Sequence, residues 1–147
     1  MRAWVAGPLV HEGLLRYPLP AHMPVSWLSH TDLATATVAA LALSPTGAVD
    51  LGGADVVKGT ELAAAFSAVL GRPVRYVAQD LDEFEAGLTH ALGATTAAGV
   101  VSTYRWVASY GHDLYDLDPA ALQKTLAISL TPLSTWIATQ PWTELAS

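Results

Sequence analysis

The strongest constraint on this chain is a regular alternation of β-type and α-type segments between residues 24 and 76. Val25 to Leu28 reads as a short strand. Ser29, with Asp32 three residues on, makes a capping-box-like start for an Ala-rich helix running to Leu43. Ser44-Pro45-Thr46-Gly47 is a turn. Ala48 to Leu51 reads as an apolar strand followed by Gly52-Gly53, and Asp55 to Lys58 as another short strand. Thr60 is placed to N-cap a helix whose apolar positions, Leu62, Phe66, Val69 and Leu70, share one face. Gly71 stands where a C-cap belongs, Pro73 follows, and Val74 to Ala78 is a strand. Strands that alternate with helices predict an α/β chain.

The rest of the sequence extends this pattern. Residues 1–12 carry no clear periodicity. Leu14 to Leu19 reads as a strand ended by Pro18 and Pro20. Asp80 and Glu83 open a helix striped by Leu81, Phe84, Leu88 and Leu92, and Gly93 ends it. A longer helix is predicted over Thr96 to Tyr110. Asp118-Pro119 and Thr131-Pro132 each place a capping residue before Pro at a first helical position, so two short helices close the chain. The expectation is one domain over residues 1–147, α/β with α+β character, with roughly four or five short strands and five or six helices. Ala48–Leu51 is apolar throughout, which suits a strand buried on both faces. Few such strands are available as neighbours, so its edge is expected to pair with another chain.

Charge is scarce: 14% of residues are Asp, Glu, Lys or Arg against about 25% in ordinary domains. With 52% apolar residues and a mean hydropathy of +0.34, the composition predicts an apolar surface covered by a partner or a second copy. Net charge is −6, and without a basic patch nucleic acid is not an expected partner. There is no cysteine, which excludes disulfide and thiolate chemistry. Pro8, His11, Glu12 and Arg16 interrupt any signal-peptide core, and no apolar run reaches membrane-spanning length. A cytoplasmic setting is the expectation.

Several chemistries lack their residues. A dinucleotide's pyrophosphate needs a glycine-rich turn opening a helix, and no G-x-G-x-x-G occurs; the sequence after Gly52-Gly53 does not open a helix. A Tyr whose pKa is lowered by a Lys four residues later is also absent, since Ala54 precedes Lys58 and Ala120 precedes Lys124. His30-Thr31-Asp32 and His112-Asp113 lack ligand spacing, so no metal site is expected. No G-x-S-x-G elbow marks a nucleophile.

The remaining chemistry-bearing residues cluster in two places. The N-terminal third carries Trp4, His11, Tyr17, His22, Trp27 and His30, and a second group runs from Tyr104 through Trp106 and Tyr110 to His112 and Asp113. His22, His30 and His112 are the candidate proton-transfer groups, because imidazole suits acid–base work at neutral pH, with Tyr104 beside them. Tyr17, Trp27, Trp106 and Tyr110 are the candidate walls of an apolar pocket for a flat ligand. The alternative is that these rings fill the core with their polar tips at its rim.

Val25-Ser-Trp-Leu-Ser-His-Thr-Asp-Leu-Ala34 and Leu62 through Tyr76, including Leu70-Gly-Arg-Pro-Val-Arg-Tyr76, resemble the C-terminal part of NmrA-like proteins, which are atypical short-chain dehydrogenase/reductases. Leu14-Leu-Arg-Tyr-Pro-Leu19 looks like the segment leading into that family's substrate lobe. Leu130-Thr-Pro-Leu-Ser-Thr-Trp136 looks like a Thr-Gly-Arg-x-Pro motif without its Gly and Arg. The resemblance implies a lobe that closes over a nicotinamide and shapes a substrate cleft, and a strand at Ala48–Leu51 that joins a dinucleotide-binding sheet. The glycines and the Tyr–Lys pair are missing from these residues, so NAD(P) is expected only if a partner supplies the glycine-rich half. The leading expectation is a stand-alone, truncated NmrA-like homodimer that binds a small apolar or aromatic ligand and catalyses a cofactor-free cyclisation or isomerisation. The alternatives are one half of a split oxidoreductase completed by a dinucleotide-binding chain, a binding or regulatory module without chemistry, and an internal start at Met1.

Overall fold

A computed structural model describes residues 2–111 and 113–145. The elements run α1 (Arg2–Glu12), β1 (Leu14–Tyr17), β2 (Val25–Ser26), α2 (His30–Leu43), β3 (Val56–Val57), α3 (Gly59–Leu70), β4 (Arg75–Ala78), α4 (Leu81–Leu92), α5 (Ala94–Tyr110), α6 (Pro119–Leu126), α7 (Leu133–Thr139) and α8 (Trp142–Leu145). The α/β class stands, and the described residues hold four strands of the expected four or five, the segment at Ala48–Leu51 being the one that does not form. The helices outnumber the expectation because α1 occupies the unassigned N-terminus and α8 follows α7. No helix among the described residues is long and apolar enough to cross a membrane.

Capping chemistry sets most helix starts. Ser29 Oγ accepts the Asp32 N–H at 2.9 Å to open α2. Asp80 accepts from the N–H groups of Asp82 and Glu83, and Asp118 from those of Ala120 and Ala121. Gly71 ends α3 at φ 66°, a left-handed value that glycine adopts without strain. Two expected caps move. α3 begins before Thr60, because the Glu61 carboxylate accepts the Lys58 N–H at 2.7 Å and Ala21 O accepts the Gly59 N–H. Thr131 does not cap α7. Instead the Asp55 carboxylate accepts the Leu133 N–H at 2.7 Å, while Thr131 turns to Asp32.

β1 and β4 pair in parallel, with Leu14 opposite Arg75 and Tyr17 opposite Ala78. α3 packs over this pair, so that Leu15, Leu62, Phe66 and Val74 form the main core with Leu9 of α1 and Ile137 of α7. Gly13 (φ 68°) makes the turn from α1 to β1, and a Cβ there would lie 2.6 Å from Pro73 O. β2 and β3 form a separate antiparallel pair through Val25–Val57 and Ser26–Val56. A second core gathers Leu19, Met23, Val25 and Val107 between this pair and α5.

Ala48–Leu51 is not a strand. Both edges of β2 are already used, since Ser26 donates to Tyr115 O at 2.8 Å and accepts the Gly53 N–H at 3.3 Å. Val49 and Leu51 instead pack against Ala36 of α2 and Leu122, Leu126 and Leu130 around α6. Apolar surface does remain open on α2, where Val38 is 67% and Leu41 76% exposed.

Candidate functional site

A cleft of about 180 Å³ opens between α3, the end of β1 and the C-terminal helices. Leu15, Leu62 and Phe66 contribute to its lining from the main core. Trp136 and Trp142 also line it, their ring centres 5.6 Å apart and nearly perpendicular, and Trp142 meets Phe66 edge-on at 5.2 Å. The Trp142 indole N–H donates to Ile137 O at 2.8 Å, which holds this ring in place. Tyr17 and Trp27 add an edge-to-face pair at 4.9 Å. Ser29, His30, Thr131 and Gln140 supply polar atoms to an otherwise apolar lining.

Local sequence explains these positions. Tyr17 follows Leu15 by two residues on β1, so both point to the same face. His30 is the first residue of α2, placed beside the cleft by the Ser29 cap. Trp136 and Trp142 depend on the α7–α8 turn, whose start is bound from two directions. Asp32, only 5% exposed, accepts the Thr131 N–H at 3.1 Å and the Thr131 hydroxyl at 2.9 Å. Asp55 binds the next turn, as described above.

Behind the cleft lies a phenol cluster. The hydroxyls of Tyr17 and Tyr104 are 3.0 Å apart. Burial, reinforced by the bond to Tyr104, pushes the Tyr17 phenol well above its ordinary range. Burial also pushes Tyr76 up to about 12, and its hydroxyl donates to Leu19 O at 2.8 Å. Tyr115 is raised by burial as well. These phenols are therefore neutral hydrogen-bonding groups near neutral pH, not bases. Among the cleft-lining side chains, His30 is the one imidazole. The Trp27 indole nitrogen is the one buried side-chain polar atom without a partner among the described residues.

Of the residues singled out from sequence, Tyr17, Trp27 and His30 line the cleft, and Tyr104 joins them through Tyr17. His22 is exposed and is not part of the lining. Trp106 and Tyr110 stand apart from the cleft, 51% and 77% exposed, with their rings 6.5 Å from each other. His112 lies outside the described residues. Sequence reasoning did not select Phe66, Thr131, Trp136 or Trp142 as site residues. The signal for Trp136 and Trp142 was their closeness to each other in a chain with five tryptophans.

The described residues do not fit a dinucleotide's pyrophosphate. A Cβ on Gly52 or Gly53 would overlap Ser26 or the Trp27 carbonyl, so these glycines serve close chain packing and form no open cradle. The first turn of α2 already carries the Ser29 cap and the Asp32 carboxylate. No group of three or more His, Cys, Asp or Glu gathers in metal-binding geometry among the described residues.

No family model matches the chain. An NAD(P)H azoreductase from Xenophilus azovorans is 42% identical over 69 residues, covering 44% of this chain and 23% of that protein. Among solved structures, the triphenylmethane reductase of Citrobacter sp. complexed with NADP(H) superposes with a TM-score of 0.64 at 21% identity, over 93% of this chain and 48% of its own. An NADPH-dependent quinone oxidoreductase from Escherichia coli gives 0.66 at 18% identity, over 93% and 50%. A nucleoside-diphosphate-sugar epimerase from Staphylococcus aureus gives 0.66 at 18%, over 92% and 47%. This chain thus has the fold of one half of such proteins, and it spans about half the length of the solved chains it matches.

Proposed function

We propose that this chain is the acceptor-binding lobe of an NAD(P)H-dependent reductase acting on flat aromatic compounds such as quinones or aromatic dyes. The observation that carries the reading is the cleft itself, where Trp27, Phe66, Trp136 and Trp142 offer ring edges and faces around an apolar space. A planar conjugated ligand gains the most from such walls. The azo group and the quinone, named for the azoreductase and the quinone oxidoreductase, are planar conjugated units of that kind. A dinucleotide, when bound, supplies the reducing hydride; its phosphates are held outside the residues described here. Within this chain the rings bind and orient the acceptor and exclude water, while His30 offers or removes a proton beside the cleft. The open apolar face of α2, at Val38 and Leu41, is the surface on which the dinucleotide-binding segment packs.

A second reading keeps the ligand and drops the dinucleotide. His30 lines the same cleft as Tyr17, whose hydroxyl meets that of Tyr104, so His30 would move the proton and the neutral Tyr17–Tyr104 pair would donate hydrogen bonds in a cofactor-free cyclisation or isomerisation.

The test is a titration of the 147-residue chain with a naphthoquinone, an azo dye and a triphenylmethane dye, followed by tryptophan quenching. Saturable quenching by the planar compounds, weakened by Trp136→Ala, is expected. Absence of binding, or binding indifferent to Trp136→Ala, overturns the proposal. An isomerised product formed without NADPH and lost in His30→Ala selects the second reading.

A further inference from the structure

α5 buries Ala97, Val101 and Val107 against the body of the protein. Its opposite side is a stripe of Thr95, Gly99, Ser102, Thr103, Trp106 and Tyr110, all exposed. At α-helical geometry these positions fall within an arc of roughly 100°. A surface helix normally carries charge on that side. The one charged residue of α5 is Arg105, whose guanidinium is turned to Asp82 at 2.5 Å and Glu85 at 2.9 Å on α4. The stripe is therefore uncharged, although the chain as a whole carries −6. It is also graded along its length. Its N-terminal part is small, and nothing lies within 4 Å of a Cβ on Gly99. Its C-terminal part is bulky, with Trp106 51% and Tyr110 77% exposed.

We infer that two copies of this chain pair through the outer stripe of α5, the two helices running antiparallel about a twofold axis. A parallel arrangement would set Trp106 on the partner's Trp106 and leave the hollows at Gly99 unfilled. The antiparallel arrangement lays Trp106 over the partner's Gly99, Tyr110 over the partner's Thr95, and Ser102 beside the partner's Thr103. One surface thus supplies both knob and hole, which is what an isologous contact requires. Charge points to the same occupant. Two acidic chains repel least where neither presents a charge, whereas a basic partner would find nothing on this stripe to meet. The two rings and the small residues beneath them bury on the order of 1,000 Å² in total, the lower end for a specific interface. A contact of that size is at the weak, transient end of specific interfaces.

Sedimentation equilibrium on the 147-residue chain between about 1 and 200 μM tests this. The average mass is expected to climb from the monomer's 15.4 kDa toward twice that value. Gly99→Glu places a charge in the contact and is expected to weaken association by about 100-fold or more. The open space at Gly99 leaves the fold of that variant intact, which its circular dichroism checks. The chain has no cysteine, so a single Thr103→Cys joined by a short bis-maleimide should yield a covalent dimer, and Ser134→Cys on α7 should not. A monomer at every concentration would assign the stripe to some other partner and overturn the pairing. A dimer that ignores Gly99→Glu, or one that cross-links only through position 134, also overturns it.

Discussion

The hydroxyl of Tyr17 on β1 meets that of Tyr104 on α5 at 3.0 Å, across 87 positions of sequence. Tyr17 lines the cleft, while Tyr104 also meets Phe84 of α4 edge-on at 5.5 Å. The contact therefore ties the cleft to the α4–α5 hairpin. Tyr104→Phe leaves the packing and removes the bond. It is expected to lower unfolding free energy by about 1 kcal/mol in urea melts, with a smaller loss of dye affinity than Trp136→Ala.

The same cluster sets an alkaline limit. The Tyr17 and Tyr76 phenols have raised pKa values in the folded state, Tyr76 at about 12, so the native chain holds these protons more tightly than the unfolded chain. The stabilisation is whole below the unfolded phenol value near 10 and falls as pH rises above it. Urea midpoints should be level from pH 8 to 9.5 and drop by pH 11. Tyr17→Phe with Tyr76→Phe should flatten that drop; an unchanged slope would contradict the assignment.

Asp32 is expected to control the C-terminal wall of the cleft. Asp32→Ala strips the Thr131 N–H and hydroxyl of their acceptor, and lost bonds of this kind cost about 1–3 kcal/mol. The segment that leads to Trp136 loosens with it. Dye affinity should fall along with stability, whereas Thr131→Ser with Asp32 in place keeps both donors and should retain most of each.

Two indole substitutions should differ. Trp142→Phe removes the bond to Ile137 O and is expected to destabilise by about 1–2 kcal/mol. Trp27→Phe removes a buried N–H that has no partner among the described residues, so relief of that group offsets part of the lost packing. Thermal melts should rank Trp27→Phe as the milder change.

Glycine substitutions should also separate by place. Gly53→Ala drives a methyl into the Trp27 carbonyl and should destabilise by about 2 kcal/mol or more. Gly99→Ala meets open space on a helix and should stabilise by about 0.5–1 kcal/mol. Chemical denaturation of the two variants checks both signs.

The candidate site was half legible in the sequence. Tyr17, Trp27 and His30 were visible because aromatic and imidazole side chains are few and lie close together along the chain. Trp136 and Trp142 were not selected, because their partners, Phe66 and Leu15, sit far away on α3 and β1. Trp106 and Tyr110 had the right chemistry and helical spacing for a pocket, but the buried side of α5 is set by Ala97, Val101 and Val107, which turns both rings outward.

What the sequence by itself determined are the elements closed by near neighbours. The Ser29, Asp80 and Asp118 caps and the left-handed Gly71 each complete their bonds or their backbone geometry within a few residues, so the local chain suffices. Only the tertiary structure decided that Ala48–Leu51 packs as a coil, that Asp32 and Asp55 bind the start of α7, and that the C-terminal tryptophans line the cleft. Each of those outcomes is a competition between distant groups for one edge, one donor or one apolar surface. Such a competition has no winner until the chain is folded.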